Sequence, residues 1–186
     1  MPDFAYPETV INNATVKLDK AVKSGDARQV IRQTVDLIIA KSIISGESFN
    51  SSVRMLDSLA LVSGAAERAI LYSLEAEMYA QKYDSDSFQA DSRTLPLDSY
   101  PENVDEWSKQ LYAKKINSLV KQALAQPDLL RKEPLSAWRS ILKADDWDLT
   151  FYPTVYDMIA EKSIKQLEKF VDGNRIPFET VASTPS

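Results

Sequence analysis

The chain contains no cysteine and no histidine. Without cysteine it has no disulfide framework, no thiolate nucleophile and no thiolate metal site, and this fits any compartment while identifying none. Without histidine, Ser–His, Cys–His and His-ligated zinc chemistries are excluded for this chain. Only 4 of its 186 residues are glycine, few for a protein built from many tight β-turns, so the balance favours helices. No stretch approaches the ~20 apolar residues of a membrane span. The opening MPDFAYPETV has neither the charged start nor the apolar centre of a signal peptide. The chain is therefore expected to be cytosolic or a mature segment of a longer secreted precursor.

What is present is ordinary globular material. Apolar residues make up 44% and charged residues 26% of the chain, enough for one substantial core. The formal net charge of −5 argues against a nucleic-acid or anionic-membrane partner, because neutralising phosphates requires clustered Lys and Arg. The densest basic run, Lys109, Lys114, Lys115 and Lys121, is interleaved with Gln and Asn at helical spacing and reads as a solvated helix face.

Periodicity divides the chain into helices. Residues 8 to 24 carry Val10, Ile11, Ala14, Leu18, Ala21 and Val22 at three- and four-residue steps. SGD breaks this run, Asp26 can cap the next helix with Gln29 in capping-box position, and Val30, Ile31, Val35, Ile38 and Ile39 extend it to about Ile44. The two helices form an αα-hairpin. After SGESFNSS a third, shorter helix carries Val53, Leu56, Leu59 and Ala60. Residues 65 to 83 have two apolar stripes, Ala66, Ile70, Leu74 and Met78, and Ala69, Tyr72, Ala76, Tyr79 and Tyr83, which predict a central helix packed on two sides.

Residues 84 to 101, DSDSFQADSRTLPLDSYP, have no sustained period and predict a long surface connection, the segment best suited to mobility or partner contact. Asn103 with Glu106 then predicts the capped start of a long fifth helix carrying Val104, Trp107, Leu111, Ile116, Leu119, Val120 and Ala123. Pro127 and Pro134 bracket short helical pieces. Thr154 can cap a final helix with Asp157 at its third position, burying Tyr156, Ile159, Ala160, Ile164, Leu167, Phe170 and Val171. The expected fold is all-α, antiparallel hairpins packed as a bundle or short right-handed array of about five to seven helices with one long surface loop. A single helical domain covers 1–173, with possible halves 7–83 and 102–173 joined by the loop 84–101, and 174–186 is expected to lead out of it.

Chemistry-bearing patterns are sparse. Asp145, Asp146 and Asp148 around Trp147 form the one dense carboxylate group, able in principle to bind a hard cation or to act as a sugar-cleaving acid pair. They lack the spaced ligands and the Gly turn of a calcium loop, and the expected arrangement is a solvated loop with Trp147 packed into the core. Trp107, Trp138 and Trp147, with Tyr72, Tyr79, Tyr83 and Tyr112, could line a carbohydrate or peptide groove, but aromatics at helical spacing are expected to fill a core. Asn13-Ala14-Thr15 and Asn50-Ser51-Ser52 match the glycosylation sequon, a pattern short enough to arise by chance. There is no Gly-rich phosphate loop, no G-x-S-x-G turn and no metal-ligand helix pair. A helical enzyme would bring at least two of Asp145, Asp146, Asp148, Glu75 and Glu77 together in one cleft with a bound metal. No cofactor or metal is implied, and no catalytic residue is assigned.

Residues 152–170, YPTVYDMIAEKSIKQLEKF, resemble the segment that closes the N-terminal helical region of the large alpha-2-macroglobulin-like proteins of Bacteroidetes. Pro153, Thr154, Tyr156, Asp157, Ala160 and Phe170 match that pattern. Met158, Glu161 and Lys162 depart from it, since Phe, His and Arg are common there. AVKSGDARQVIRQ, AILYSLEAEMYAQKY and the order of helices are similar in layout, although the last motif alone is specific. The resemblance implies a non-catalytic N-terminal segment of a longer exported protease-trapping protein, located in the periplasm or at the cell surface. It also implies docking to the remaining domains of that chain, or to proteases or envelope proteins. The family's Cys–Gln thioester has no counterpart here, and Pro153, Thr154, Tyr156 and Asp157 are implied to be structural. The competing expectation is a free-standing, cytoplasmic tetratricopeptide-like adaptor, against which no ~34-residue repeat is evident.

Overall fold

One glycine shapes the first hairpin. Gly25 takes φ 70°, a left-handed conformation open to glycine at little cost. It ends α1 (Pro7–Ser24), its amide donating to Val22 O at 3.2 Å. Asp26 then starts α2 (Ala27–Ala40), its carboxylate accepting from the amides of Arg28 and Gln29 at 3.1 and 3.2 Å. Those donors would otherwise be unsatisfied at the helix start. This hairpin matches the reading from sequence, with Ile31, Thr34, Leu37 and Ile38 as the buried face of α2.

The computed structural model describes residues 7–41, 48–94, 96 and 98–171. The expected end of α2 near Ile44, part of the SGESFNSS break and the tail 174–186 lie outside the described residues.

Helix α3 (Phe49–Val62) is capped by Ser48, whose side chain accepts from Ser51 N at 3.2 Å. Its far end is finished from the next helix. Arg68 of α4 (Ala65–Ser92) donates to Ala60 O and Ser63 O at 3.0 Å each, satisfying carbonyls that α3 leaves open. Helix α4 is the centre of the molecule and packs against α2, α3, α5 and α9. Its buried residues, including Ile70, Leu71, Leu74, Ala76, Tyr79, Ala80 and Tyr83, run around more than one face, as the two stripes predict.

The structure corrects the expected long connection at 84–101. Residues 84–92 continue α4 for more than two further turns, and the stretch without helix begins at Arg93. The cause is tertiary. Ala90 is fully buried, Tyr83 OH donates to Asp91 at 2.7 Å, and Arg93 spans Asp86 (2.9 Å), Gln89 (2.8 Å) and Trp107 O (3.2 Å). A second correction concerns the start of the fifth helix. Asn103 caps only a 3-10 turn, Val104–Glu106, and α5 (Lys109–Ala123) starts afresh at the buried Ser108.

Short pieces follow: α6 (Pro127–Leu130), a 3-10 turn at Leu135–Trp138, α7 (Arg139–Leu142), α8 (Asp146–Phe151) and α9 (Val155–Glu168). An antiparallel bridge pairs Pro134 with Thr154. Leu135 N donates to Pro153 O at 3.0 Å and Val155 N to Glu133 O at 2.9 Å. Among the described residues there is no strand, and the fold is an all-α bundle of packed helices.

The core has two neighbouring parts. One joins Ile31, Leu56, Ile70, Leu71, Leu130, Leu135, Trp138, Leu142, Val155 and Ile159. The other is largely aromatic, with Tyr79, Tyr83, Trp107, Tyr112 and Phe170 around Leu111, Ile116 and Leu119. Each fully buried Leu or Ile contributes ~1.5–3 kcal/mol relative to exposure, so this burial holds the helices together.

Candidate functional site

The YPT stretch owes its shape to two capping boxes. At the start of α9, Thr154 Oγ1 accepts from Asp157 N at 3.3 Å while Asp157 Oδ2 accepts from Thr154 N at 3.1 Å and from the Thr154 hydroxyl at 2.6 Å. Three residues earlier α8 ends, and its own start is a second box. There Asp148 N donates to Asp145 Oδ1 at 2.8 Å and Asp145 N to Asp148 Oδ2 at 3.0 Å. Pro153 lies between the helices, its carbonyl held by the bridge to Leu135. The sequence WDLTFYPT is thereby fixed at both ends and in the middle.

The buried face of α9 differs from the expected one. Val155, Met158, Ile159, Ser163, Gln166 and Phe170 are buried, whereas Ile164 and Val171 are exposed. Tyr156 is half-buried against the core, with the Arg131 guanidinium 4.3 Å from its ring centre, so it is a lid on the core edge and not an internal anchor.

The acidic group is also corrected. Asp145, Asp146 and Asp148 form a helix start and not a loop. Asp145 and Asp148 spend oxygens on backbone amides, and Asp146 pairs with Arg139 at 2.7 Å. Trp147 is not in the core. It is 57% exposed and packs against Phe151, 58% exposed, with ring centres 4.4 Å apart and the rings tilted by 37°; Tyr152 meets Trp147 edge-on at 5.8 Å. Sequence reasoning missed this outward pair, although Trp147 and Phe151 stand at the i,i+4 spacing that puts side chains on one helix face.

The other aromatics behave as core residues, as expected. Tyr79 stacks on Trp107 at 5.3 Å with an interplanar angle of 9°, Phe49 meets Tyr79 edge-on at 5.0 Å, and Tyr83 contacts both Tyr112 and Phe170. Trp107 Nε1 donates to Pro101 O at 2.9 Å and Tyr112 OH to Val104 O at 3.2 Å, satisfying their polar atoms. Burial pushes the Tyr79 and Tyr112 hydroxyls above the usual phenol range. Trp138 is buried and bonds Glu133, and Tyr72 is half-buried.

The two glutamates of α4 do not converge with the aspartates. Glu77 reaches Lys162 of α9 at 3.1 Å. Glu75 is 1% exposed and faces Lys115 of α5 at 3.1 Å, so Lys115, expected on a solvated face, is drawn inward and also lies 5.4 Å from the Tyr79 ring centre. Among the described residues no group of three or more Asp or Glu side chains is placed to hold a metal ion. Asn13 is exposed on α1, and Asn50, on the first turn of α3, donates to Glu102 O at 2.6 Å. An open groove of about 500 Å³ lies between α2, α3, α4 and α7, with Ile38, Leu56, Leu74, Met78 and Ile141 among its walls and Lys82 and Lys143 among its polar residues.

No described helix is long and apolar enough to cross a membrane. Comparison with family models, with curated proteins and with solved structures finds no match.

Proposed function

We propose that the chain is a non-catalytic helical docking domain, and that it belongs to a longer exported macroglobulin-like protein of the kind its final helix resembles. The observation that carries the docking reading is the outward-facing Trp147–Phe151 pair on α8. Aromatic side chains exposed together on a short helix bring apolar area to an interface at low entropic cost, and Trp and Tyr are enriched among residues that dominate binding energy. The pair is rigidly mounted, because capping boxes stand at Asp145/Asp148 and at Thr154/Asp157. The partner is the remainder of the same longer chain, with proteases or envelope proteins as further contacts, and the location is the periplasm or cell surface.

A free-standing adaptor is the second reading, favoured by the successive hairpins α1–α2 and α3–α4. The genomic open reading frame separates the two. Continuation past Ser186 into β-rich sequence, behind an export or lipoprotein signal, supports the macroglobulin-like reading, and a stop codon near Ser186 contradicts it.

A further inference from the structure

The groove between α2, α3, α4 and α7 is apolar along most of its wall and carries one unanswered charge. Ile38, Leu56, Leu74, Met78 and Ile141 face it, and its volume of about 500 Å³ is that of a small-molecule site. Two of its charged groups are answered within the fold. Glu77 accepts from Lys162 at 3.1 Å and from Gln81 at 3.4 Å, and Lys82 pairs with Asp105. The third, Lys143, is exposed, and its side chain has no ion pair or hydrogen bond among the described residues.

The backbone at Lys143 is a second observation. It takes φ 54° and ψ 39°, the left-handed conformation, where α7 ends, and among the described residues it is the one non-glycine residue with positive φ. Glycine or asparagine is the usual occupant of such a position, because a larger side chain crowds the following carbonyl oxygen. A residue held in so sparsely populated a conformation is a mark of ligand sites. Here it sets an ammonium beside an apolar groove.

We propose that this groove binds a single-chain fatty-acid anion, with its carboxylate on Lys143 and its acyl chain along Ile38, Leu56, Leu74, Met78 and Ile141. The ammonium gives the head a charge-assisted hydrogen bond. The apolar walls take the chain, and Glu77, the one carboxylate among them, is already neutralised by Lys162. A cationic amphiphile would meet Lys143 and no unpaired acid. Neither Trp147 nor Phe151 lines the groove, so the site is independent of docking at α8.

Methyl carbon-13 NMR of the intact chain, titrated with sodium decanoate below its micelle-forming concentration, tests the site. The methyls of Ile38, Leu56, Leu74 and Ile141 should shift saturably, and affinity should rise roughly two- to four-fold per methylene from octanoate to dodecanoate. Decyltrimethylammonium, with a chain of the same length, should bind at least tenfold more weakly than decanoate. Lys143→Asn removes the ammonium and suits the left-handed backbone. It should lose about tenfold in affinity for decanoate and none for decanol, while keeping or raising the unfolding midpoint. Ile39→Glu, at a wall residue 42% exposed, should abolish decanoate binding without unfolding the chain. A Trp147→Ala/Phe151→Ala variant should bind decanoate as the parent does, which keeps this result separate from the docking reading. Groove methyls unmoved by dodecanoate, equal binding of the anionic and cationic amphiphiles, or undiminished decanoate binding in Lys143→Asn contradicts the proposal. Groove methyls that shift when the protein alone is concentrated would place a second copy in the groove and overturn it.

Discussion

Thr154 and Asp157 show how much one pair of side chains decides. Each satisfies a backbone amide of the other, and their side chains also bond directly, so removing either loses the reciprocal box. Thr154→Ala and Asp157→Ala should each cost about 1 kcal/mol, and the double variant should cost less than their sum, because the second substitution removes a partner already lost. Tyr156→Ala should cost about 1–2 kcal/mol, the loss of a half-buried ring and its Arg131 contact, below the ~3–5 kcal/mol of a fully buried aromatic. Urea denaturation of the variants beside the parent checks these values. The box was legible in sequence because it depends on residues three apart. The exposure of Trp147 was not, since an aromatic beside three aspartates reads alike whether its ring turns into the core or outward.

Among the elements, α4 separates local from tertiary causes. Its first five turns could be read from two apolar stripes, but residues 84–92 carry polar side chains with no period and read as a loop. They are helical because Arg93 gathers Asp86, Gln89 and the Trp107 carbonyl, contacts that no local pattern announces. Arg93→Ala should therefore cost about 1–3 kcal/mol, as expected for hydrogen bonds to a charged group, and fray the last turns of α4. Faster amide exchange over 84–92, with residues 69–83 unchanged, is the expected result. The split of the fifth helix has a similar origin: Trp107 is held by Pro101 O and Tyr79, which leaves Ser108 to start α5 anew.

At the scale of the molecule, burial is uneven. Helix α1 packs chiefly on α2, and among residues 8–24 Ala21 is the one buried side chain, whereas α4 and α5 share the aromatic core. Local opening follows buried apolar contact, so the amides of α1 should exchange fastest among the long helices and those of residues 70–80 slowest. The all-α architecture was legible because few glycines, capping residues and three- to four-residue periods agree with one another. The exposed Trp147–Phe151 pair was not, because it depends on the outward turn of α8.

Where the open reading frame continues past Ser186, the proposed docking is tested most directly by titrating residues 1–186 with the segment that follows, produced as a separate protein, in an isothermal calorimeter. The parent should bind, and a Trp147→Ala/Phe151→Ala double variant should lose tenfold or more in affinity while keeping the parent's unfolding midpoint, since both rings are more than half exposed. Parent and double variant binding equally, or neither binding at all, would contradict the account.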